Sequence, residues 1–570
     1  MSLCGAEGGE ELTGFKGPTA SRSRRKRSPT ASRSRKVAIT VKNVFLQSRY
    51  NRIVMRKEFN ITGSCNPEWH YMVDTAKRFD AVERLIDTGK YFTINRARQY
   101  GKTTMLQMIW RRLSDKYLVV DCSFEGIDDG AFESHAAFAR MFARQMAYRL
   151  ESRSIDEELV KIWKECDAKY MDELSMVITR FTKQCPKPVV LTIDEVDKSS
   201  DNQLFLNFLG MLRNKYLQRS MEGLNFTFHS VILAGVYDVK NLKLKIRPDA
   251  EKKYNSPWNI AADFNVDMTF HPEEIAQMLA DYEQDVHIGM DITAISEEIY
   301  RYTNGYPFLV SYICKLIDEQ FFRKWDADGI LQAVKYIVQG GSTLMDDLAK
   351  NLEHYPDFRE FMFQVAVNSE DYAFTLLNPM VNMGNMFSYI RNRNGRVAVH
   401  NLVFEEALYL YFTVDYSIKN TAKLSPFKTK YIVNGRLNME HVATRFRDLL
   451  REEYRDSTQA FVEKEGRLLF LTFLKPIING MGFYYVEPQT RDNRRMDLVV
   501  TYGKEEFIVE LKIWRGDKYE QKGRDQLSEY LAVRGMDEGY LVTFDFSKNK
   551  EDKEPEWIEW NGKRIFEVVV

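Results

Sequence analysis

No pair of cysteines in this chain is spaced as Cys-x-x-Cys, and only six cysteines (Cys4, Cys65, Cys122, Cys166, Cys185 and Cys314) occur in 570 residues. This spacing argues against the common zinc knuckles and dithiol redox centres, and scattered single thiols suit a reducing compartment. No apolar run reaches the roughly 18 residues that a bilayer-spanning helix needs, so no membrane association is expected. The first residues lack the apolar segment of a secretory leader. Charge of one sign is also lacking, since 81 Lys and Arg balance 81 Asp and Glu. No global field attracts nucleic acid, and any such contact must come from a local patch. The reading left by these absences is a cytoplasmic protein. Its 44% hydrophobic and 28% charged residues are ordinary for globular domains with sizeable cores, and its length suits on the order of two to four of them.

Residues 1–54 depart from that average. The stretch "TASRSRRKRSPTASRSRK" nearly repeats itself, and up to Val54 twelve Lys and Arg face three Asp and Glu. A segment of that composition cannot bury a core and is expected to be disordered. It reads either as a nuclear address or nucleic-acid arm, or as an extension without a specific role, upstream of a natural start near Met55.

From Met55 strand-like and helix-like runs alternate: "YFTIN", "TTMLQMIWRRLSDK", "YLVVDCS", a long helical stretch, "PVVLTIDE", "LFLNFLGMLRNKY" and "FHSVILAGV". Such alternation predicts a parallel sheet, and "YLVVD" and "VVLTI" are apolar on both faces, as central parallel strands are. After about Phe270 the strands stop and helices follow, the first opening on Pro272 and two glutamates. Between 343 and 430 come further helices and one hairpin, "MFSYIRNRNGRVAVH", turning on Asn394-Gly395, a pattern resembling a winged helix. Beyond 435 a second α/β unit is expected, in the order helix, three strands, helix, strand. The expected divisions are a tail (1–54), an α/β core (55–270), a helical lid (271–342), a winged-helix-like region (343–430) and a terminal α/β domain (435–570).

Two places carry chemistry. The first is "YFTINRARQYGKTTMLQMIW", Tyr91–Trp110. A Gly-Lys-Thr tripeptide alone is a weak signal. Here it follows an apolar strand and opens a helix whose Met105, Leu106, Ile109 and Leu113 recur at helical spacing, which is the setting a phosphate-binding loop requires. Amides at the helix start, with Gly101 and Thr104, would face the phosphates of ATP. Lys102 would reach the β and γ phosphates, and Thr103 would ligate Mg²⁺. The strand "PVVLTIDE" ends in Asp194, which would complete the Mg²⁺ shell, and Glu195, which would orient or deprotonate water. Where the usual loop opens on glycine, this one has Arg96, followed by Ala97, Arg98, Gln99 and Tyr100. Arg96 and Arg98 either add charge near the γ-phosphate or point to solvent.

The second place is "RRMDLVVTYGKEEFIVELKIW", which offers Asp497, Glu510 and Lys512 in the pattern Asp-x12-Glu-x-Lys. Alternate residues of a strand share a face, so Glu510 and Lys512 point one way and Val509, Leu511 and Ile513 the other. The turn "GKEE" would return the strand of Asp497 alongside. Two carboxylates would then ligate Mg²⁺ for phosphodiester attack by water, with Lys512 orienting that water. The spacing is loose, and a solvated face of a hairpin would also satisfy it. Arg491, Arg494, Arg495, Lys504, Trp514, Arg515, Lys518 and Lys522 lie near in sequence, with acids interleaved. They read either as a nucleic-acid backbone contact or as a solvated charged face.

"YFTINRARQYGKTT", "LTIDEVD", "VILAGVYDVKNL" and "TNGYPFLV" together resemble the AAA-ATPase-like proteins of bacteria that carry a C-terminal PD-(D/E)XK nuclease domain, over about residues 55–570. The resemblance implies a P-loop NTPase of AAA/STAND-like type with a helical lid and winged-helix-like region, then a restriction-endonuclease-like α/β domain. It implies a sensor region near Tyr237 and Asp238, and Gly305-Tyr306-Pro307 in the lid beside the nucleotide. It implies an added catalytic glutamine at Gln526 and a further acid at Glu465. Arg213 and Arg247 read as contributed arginines or as surface residues. The expected enzyme is an ATPase and metal-dependent phosphodiesterase with ATP and Mg²⁺. Nucleic acid is its partner, DNA ahead of RNA, in defence or DNA processing; a homo-oligomer is compatible. The alternative is a slow nucleotide-dependent signalling switch whose terminal domain binds nucleic acid or a partner without cleaving it.

Overall fold

Short runs of β-branched and aliphatic residues build the first sheet, from β1 (Phe92–Asn95), β2 (Leu118–Ser123), β3 (Val189–Asp194) and β4 (Ser230–Gly235). The computed structural model that shows this sheet describes residues 56–196, 203–222, 226–236, 258–340, 342–366, 372–419, 431–453, 463–478, 482–485, 498–503, 505–514, 517–545 and 553–570. The Ser/Arg-rich segment lies outside them. The strands pair in parallel in the order β1-β4-β3-β2. Every residue of β3 and β4 is buried, because helices cover both faces. Phe92, Ile94, Val190 and Ile232 face α1 (Ala76–Asp87) and α2 (Lys102–Leu113). Their alternates, Leu191, Ile193, Val231 and Leu233, face α3 (His135–Ser152), α4 (Glu157–Lys164), α5 (Met171–Gln184) and α6 (Gln203–Glu222). The two-residue period of the strands thus divides the apolar side chains between two cores.

A helical segment follows: α7 (Pro272–Val286), α8 (Ile292–Thr303), α9 (Pro307–Glu319) and α10 (Ala327–Val338). Its starts are chemically marked. Proline occupies the first position of α7 and α9, where its missing N–H costs nothing. Asp291 and Asp326 accept from the amides of Ala294 and Gly329 to cap α8 and α10. Then come α11 (Thr343–His354), α12 (Pro356–Ala366), α13 (Pro379–Met386), the hairpin β5 (Ile390–Arg393) with β6 (Arg396–Val399), and α14 (Leu402–Lys419). The hairpin turns on Asn394 and Gly395, both left-handed, at φ 52° and 80°.

A small hairpin, β7 (Ile432–Val433) and β8 (Arg436–Leu437), precedes α15 (Met439–Glu453) and α16 (Glu463–Ile478). The last sheet comprises β9 (Gly482–Tyr485), β10 (Leu498–Tyr502), β11 (Glu505–Ile513), β12 (Glu538–Phe544), β13 (Glu556–Trp560) and β14 (Lys563–Val569), with α17 (Asp517–Arg534) between β11 and β12. Its order is β13-β14-β12-β11-β10-β9. The first three strands run antiparallel, while β11, β12 and β14 are parallel. Val509 and Leu511 join the core that also holds Phe446 of α15 and Phe473 of α16. Ile508 packs on the opposite face with Leu527 and Leu531 of α17. Elements from β1 to β14 lie in one compact unit, Lys57–Val570. No helix among the described residues is long and apolar enough to cross a membrane.

The joint between the first sheet and its lid depends on Gly305. It has φ 72°, and a Cβ there would lie 2.2 Å from the carbonyl oxygen of Phe270, whose own amide bonds to the carbonyl of Gly305 at 2.8 Å. Both the left-handed backbone and the missing Cβ are required. Gly305→Ala is expected to destabilise the protein by about 2 kcal/mol or more, measured as a lower midpoint in urea unfolding, whereas alanine at the open Gly289 should cost less.

Candidate active sites

The turn from β1 into α2 brings a buried cation and a helix start together. Gln99 and Gly101 are both left-handed, at φ 58° and 79°. Glycine adopts that region freely, while glutamine in it costs about 1 kcal/mol or more. Lys102 is 7% exposed, and its Nζ donates to the carbonyls of Arg96 at 3.1 Å and Ala97 at 2.9 Å. The Thr103 hydroxyl donates to Asp194 Oδ2 at 2.6 Å. Asp194, 8% exposed, ends β3, and its Oδ1 accepts from the amide of Glu195 at 2.9 Å. Glu195 is itself left-handed at φ 55°. A hydroxyl and a carboxylate already in contact at a helix start form an oxygen donor set suited to Mg²⁺, so the residues present fit that ion.

The side chains of the loop point away from this centre. Arg96 neither approaches it nor points to solvent, in contrast to both sequence expectations. Its guanidinium donates to the carbonyls of Asn95 and Val266, each at 2.8 Å, and lies over the ring of Phe264. The reason is tertiary: the end of β1 and the segment after β4 bring the Asn95 and Val266 carbonyls together beside the ring of Phe264, and a planar guanidinium satisfies both. Arg98 is exposed and pairs with Asp347 of α11 at 3.2 Å. Gln99 Nε2 donates to the Thr343 hydroxyl at 2.9 Å. The Tyr306 hydroxyl donates to the Arg98 carbonyl at 2.7 Å, and Tyr100 OH lies 3.3 Å from His400 Nε2. Burial raises the Tyr100 and Tyr306 phenols above their ordinary range and pushes His400 down to about 3, so this imidazole is neutral.

A cavity of about 390 Å³ adjoins Gly101 and Thr104. Asn60, Ile61, Tyr71, Met105, Phe308 and Pro307 are among its walls, and Pro307 alone of the Gly305-Tyr306-Pro307 segment lines it. Mostly apolar lining with a few polar groups suits a nucleotide base. Residues 58–75, which form one wall, were not assigned a role from sequence; they carry no helical or strand period that would mark them.

In the last sheet, Glu510 is fully buried, and Lys512 Nζ lies 2.8 Å from its Oε1. Both sit on the face covered by α17, whose Gly523 packs over Lys512. Gln526 follows on that helix, half-buried. Leu498 of β10 pairs with Val509, while Asp497 lies outside the described residues. So do Tyr237, Asp238, Arg247, Arg491, Arg494, Arg495, Lys504 and Arg515. Glu465 and Lys518 fall within α16 and α17, Lys522 is exposed, Trp514 is half-buried, and Arg213 sits half-buried on α6. Glu510 offers one buried carboxylate, already paired with an ammonium, and among the described residues no three His, Cys, Asp or Glu converge as a metal site. Sequence reasoning missed Glu567, 3% exposed on β14. It accepts from Arg524 Nη2 at 2.8 Å and from Lys553 at 3.1 Å, clamping α17 to the sheet.

A family model of an AAA-like domain matches residues 68–380, and one of the PD-(D/E)XK nuclease superfamily matches residues 480–554. Among solved structures, the chain is similar to a Walker-type ATPase of Pyrococcus abyssi at 12% identity and TM-score 0.42, covering 61% of this chain and 99% of that one. It is similar to the Aeropyrum pernix ORC1 protein in complex with DNA at 12% identity and TM-score 0.28, over 60% and 94%. The RuvB Holliday junction branch migration motor of Thermotoga maritima gives 11% identity and TM-score 0.30, over 65% and 100%. No curated protein matches.

The clamp on α17 is open to test. Arg524→Met leaves a buried carboxylate with one cation fewer, and is expected to cost about 3 kcal/mol, read as faster hydrogen exchange in α17 and β14. Arg524→Lys should recover part of that loss.

Proposed function

The chain belongs to the AAA-like domain family, and from that premise we propose that it binds and hydrolyses ATP and uses this to gate a Mg²⁺-dependent nuclease acting on DNA, in defence or DNA processing. The divisions proposed are 55–270 for the ATPase core, 271–342 for the lid, 343–430 for a winged-helix-like region and 435–570 for the nuclease domain. The observation that carries the reading is the meeting of Lys102, Thr103 and Asp194 at the head of α2. Lys102 turns from two backbone carbonyls to the stronger acceptors of a triphosphate. Gly101, Thr104 and the helix-start amides hold the phosphates, with Arg98 at the rim. The cavity beside Thr104 takes the base.

Thr103 and Asp194 would hold Mg²⁺ in this centre, and Asp497 and Glu510 would hold it in the nuclease centre. Bound there, the ion neutralises phosphate charge and acidifies water. Glu195 orients the attacking water on the γ-phosphate. Its left-handed backbone, one residue beyond the strand, turns it off the line of β3. Lys512 orients water or neutralises charge at the phosphodiester, and Gln526 positions the scissile group from α17.

Lys102→Ala should remove ATP binding, measured by calorimetry; unchanged affinity would refute the loop assignment. Glu195→Gln should keep binding and lower turnover by about 100-fold or more. Cleavage of duplex DNA, single-stranded DNA and RNA with Mg²⁺ and ATP should be lost in Asp497→Ala, Glu510→Gln and Lys512→Ala. If the unaltered protein leaves every substrate intact, the terminal domain is a binding module of a nucleotide switch instead.

A further inference from the structure

We infer that helix α14 is a relay carrying the state of the phosphate-binding loop to the nuclease domain. The inference rests on the nucleotide reading above and names its route. At one end, His400 and Asn401 immediately precede the helix. The Asn401 side chain caps it, its Oδ1 accepting from the amide of Phe404 at 2.9 Å. That cap fixes which end of the amide is NH₂, and the NH₂ lies 3.2 Å from His400 Nδ1. Nδ1 therefore accepts, the proton of the neutral ring sits on Nε2, and Nε2–H donates to the Tyr100 oxygen 3.3 Å away. Tyr100 is the residue before Gly101. The rings of Tyr100, Tyr306, His400 and Phe404 also pack edge to face, with centroids 4.7–6.5 Å apart.

Further along the same helix, Glu406, Tyr409 and Thr413 recur at three- and four-residue spacing and share one side. They meet the nuclease domain. The Tyr409 ring lies 6.4 Å from Tyr484 of β9, edge to face, and the Tyr484 phenol neighbours the Thr413 side chain. Glu406, 5% exposed, faces the ammonium groups of Lys475 on α16 and Lys335 on α10. Burial raises the Glu406 carboxyl well above its ordinary range and pulls Lys475 down to about 8. A polar, charged layer at this depth is sensitive to small displacements, because each group loses more than it would at a wet surface. Glu406 and Tyr409 lie within about 11 Å of the helix start along its axis, so a displacement of the head reaches them directly. When phosphate draws Lys102 from the carbonyls of Arg96 and Ala97, residues 96–100 readjust. Tyr100 then shifts the head of α14, and with it Glu406 and Tyr409, one and two turns further on, against α16 and β9.

The test is hydrogen exchange with and without ATPγS and Mg²⁺. In the unaltered protein, protection is expected at 96–106, together with a change on the order of fivefold at 463–478 and 482–485. His400→Phe keeps the ring packing and deletes the nitrogen that meets Tyr100. Glu406→Gln removes the carboxyl that faces Lys475 and Lys335 while keeping the shape, and answers the question should the first variant fold poorly. Each should keep protection at 96–106 and lose the distant change. Protection at 96–106 without any change at 463–485, or persistence of that change in either folded variant, overturns the relay. Absence of protection at 96–106 in the unaltered protein overturns the nucleotide reading, and the relay with it.

Discussion

The chain must leave β1, turn, and start a helix within a few residues, and do so with a lysine buried beneath the turn. Everything at the nucleotide centre depends on that geometry. It is held from inside by Lys102, whose ammonium binds the carbonyls of Arg96 and Ala97, and from β3 by the hydrogen bond from Thr103 to Asp194. The left-handed backbone at Gln99 is unfavourable for a residue with a side chain. Tertiary contacts offset that cost: Gln99 reaches Thr343, and its neighbours reach Asp347, Tyr306 and His400.

This explains what large side chains do in a loop where glycine is usual. Glycine would leave the turn free of attachments. Arg96, Arg98, Gln99 and Tyr100 instead bond outward, to the segment after β4, to α11 and to the residue pair before α14. Under the proposed reading the phosphates would meet Gly101, Lys102 and backbone amides, which need no side chain from the first half of the loop. The same side chains therefore leave the binding surface intact and tie it to the helical region. Gly305 plays the complementary part in the lid, where a side chain would collide with Phe270.

The nuclease centre follows a different logic. A carboxylate with no exposure is costly unless a cation is near, and Lys512 supplies one at 2.8 Å. α17 closes over the pair, and Glu567, also buried, pulls Arg524 down onto the sheet. The two buried glutamates differ in setting: Glu510 pairs with Lys512 on the sheet, and Glu567 anchors the helix above it.

Local pattern alone determined much of this. The strand-loop-helix around Gly101 and Lys102, the acids ending β3, the common face of Glu510 and Lys512, and the Asn394-Gly395 turn are all set by residues within a few positions of one another, where helical and strand periods act directly. The destinations of Arg96 and Arg98, the wall of the base cavity, the Arg524–Glu567 clamp and the contact of Tyr100 with His400 were decided only by the tertiary structure. The partners of Arg98 and Tyr100 lie 249 and 300 residues away. No periodicity reaches that far; such pairs are selected by the folded core, which brings a carbonyl, a carboxylate or a neutral imidazole to a side chain whose neighbours in sequence give no hint of it.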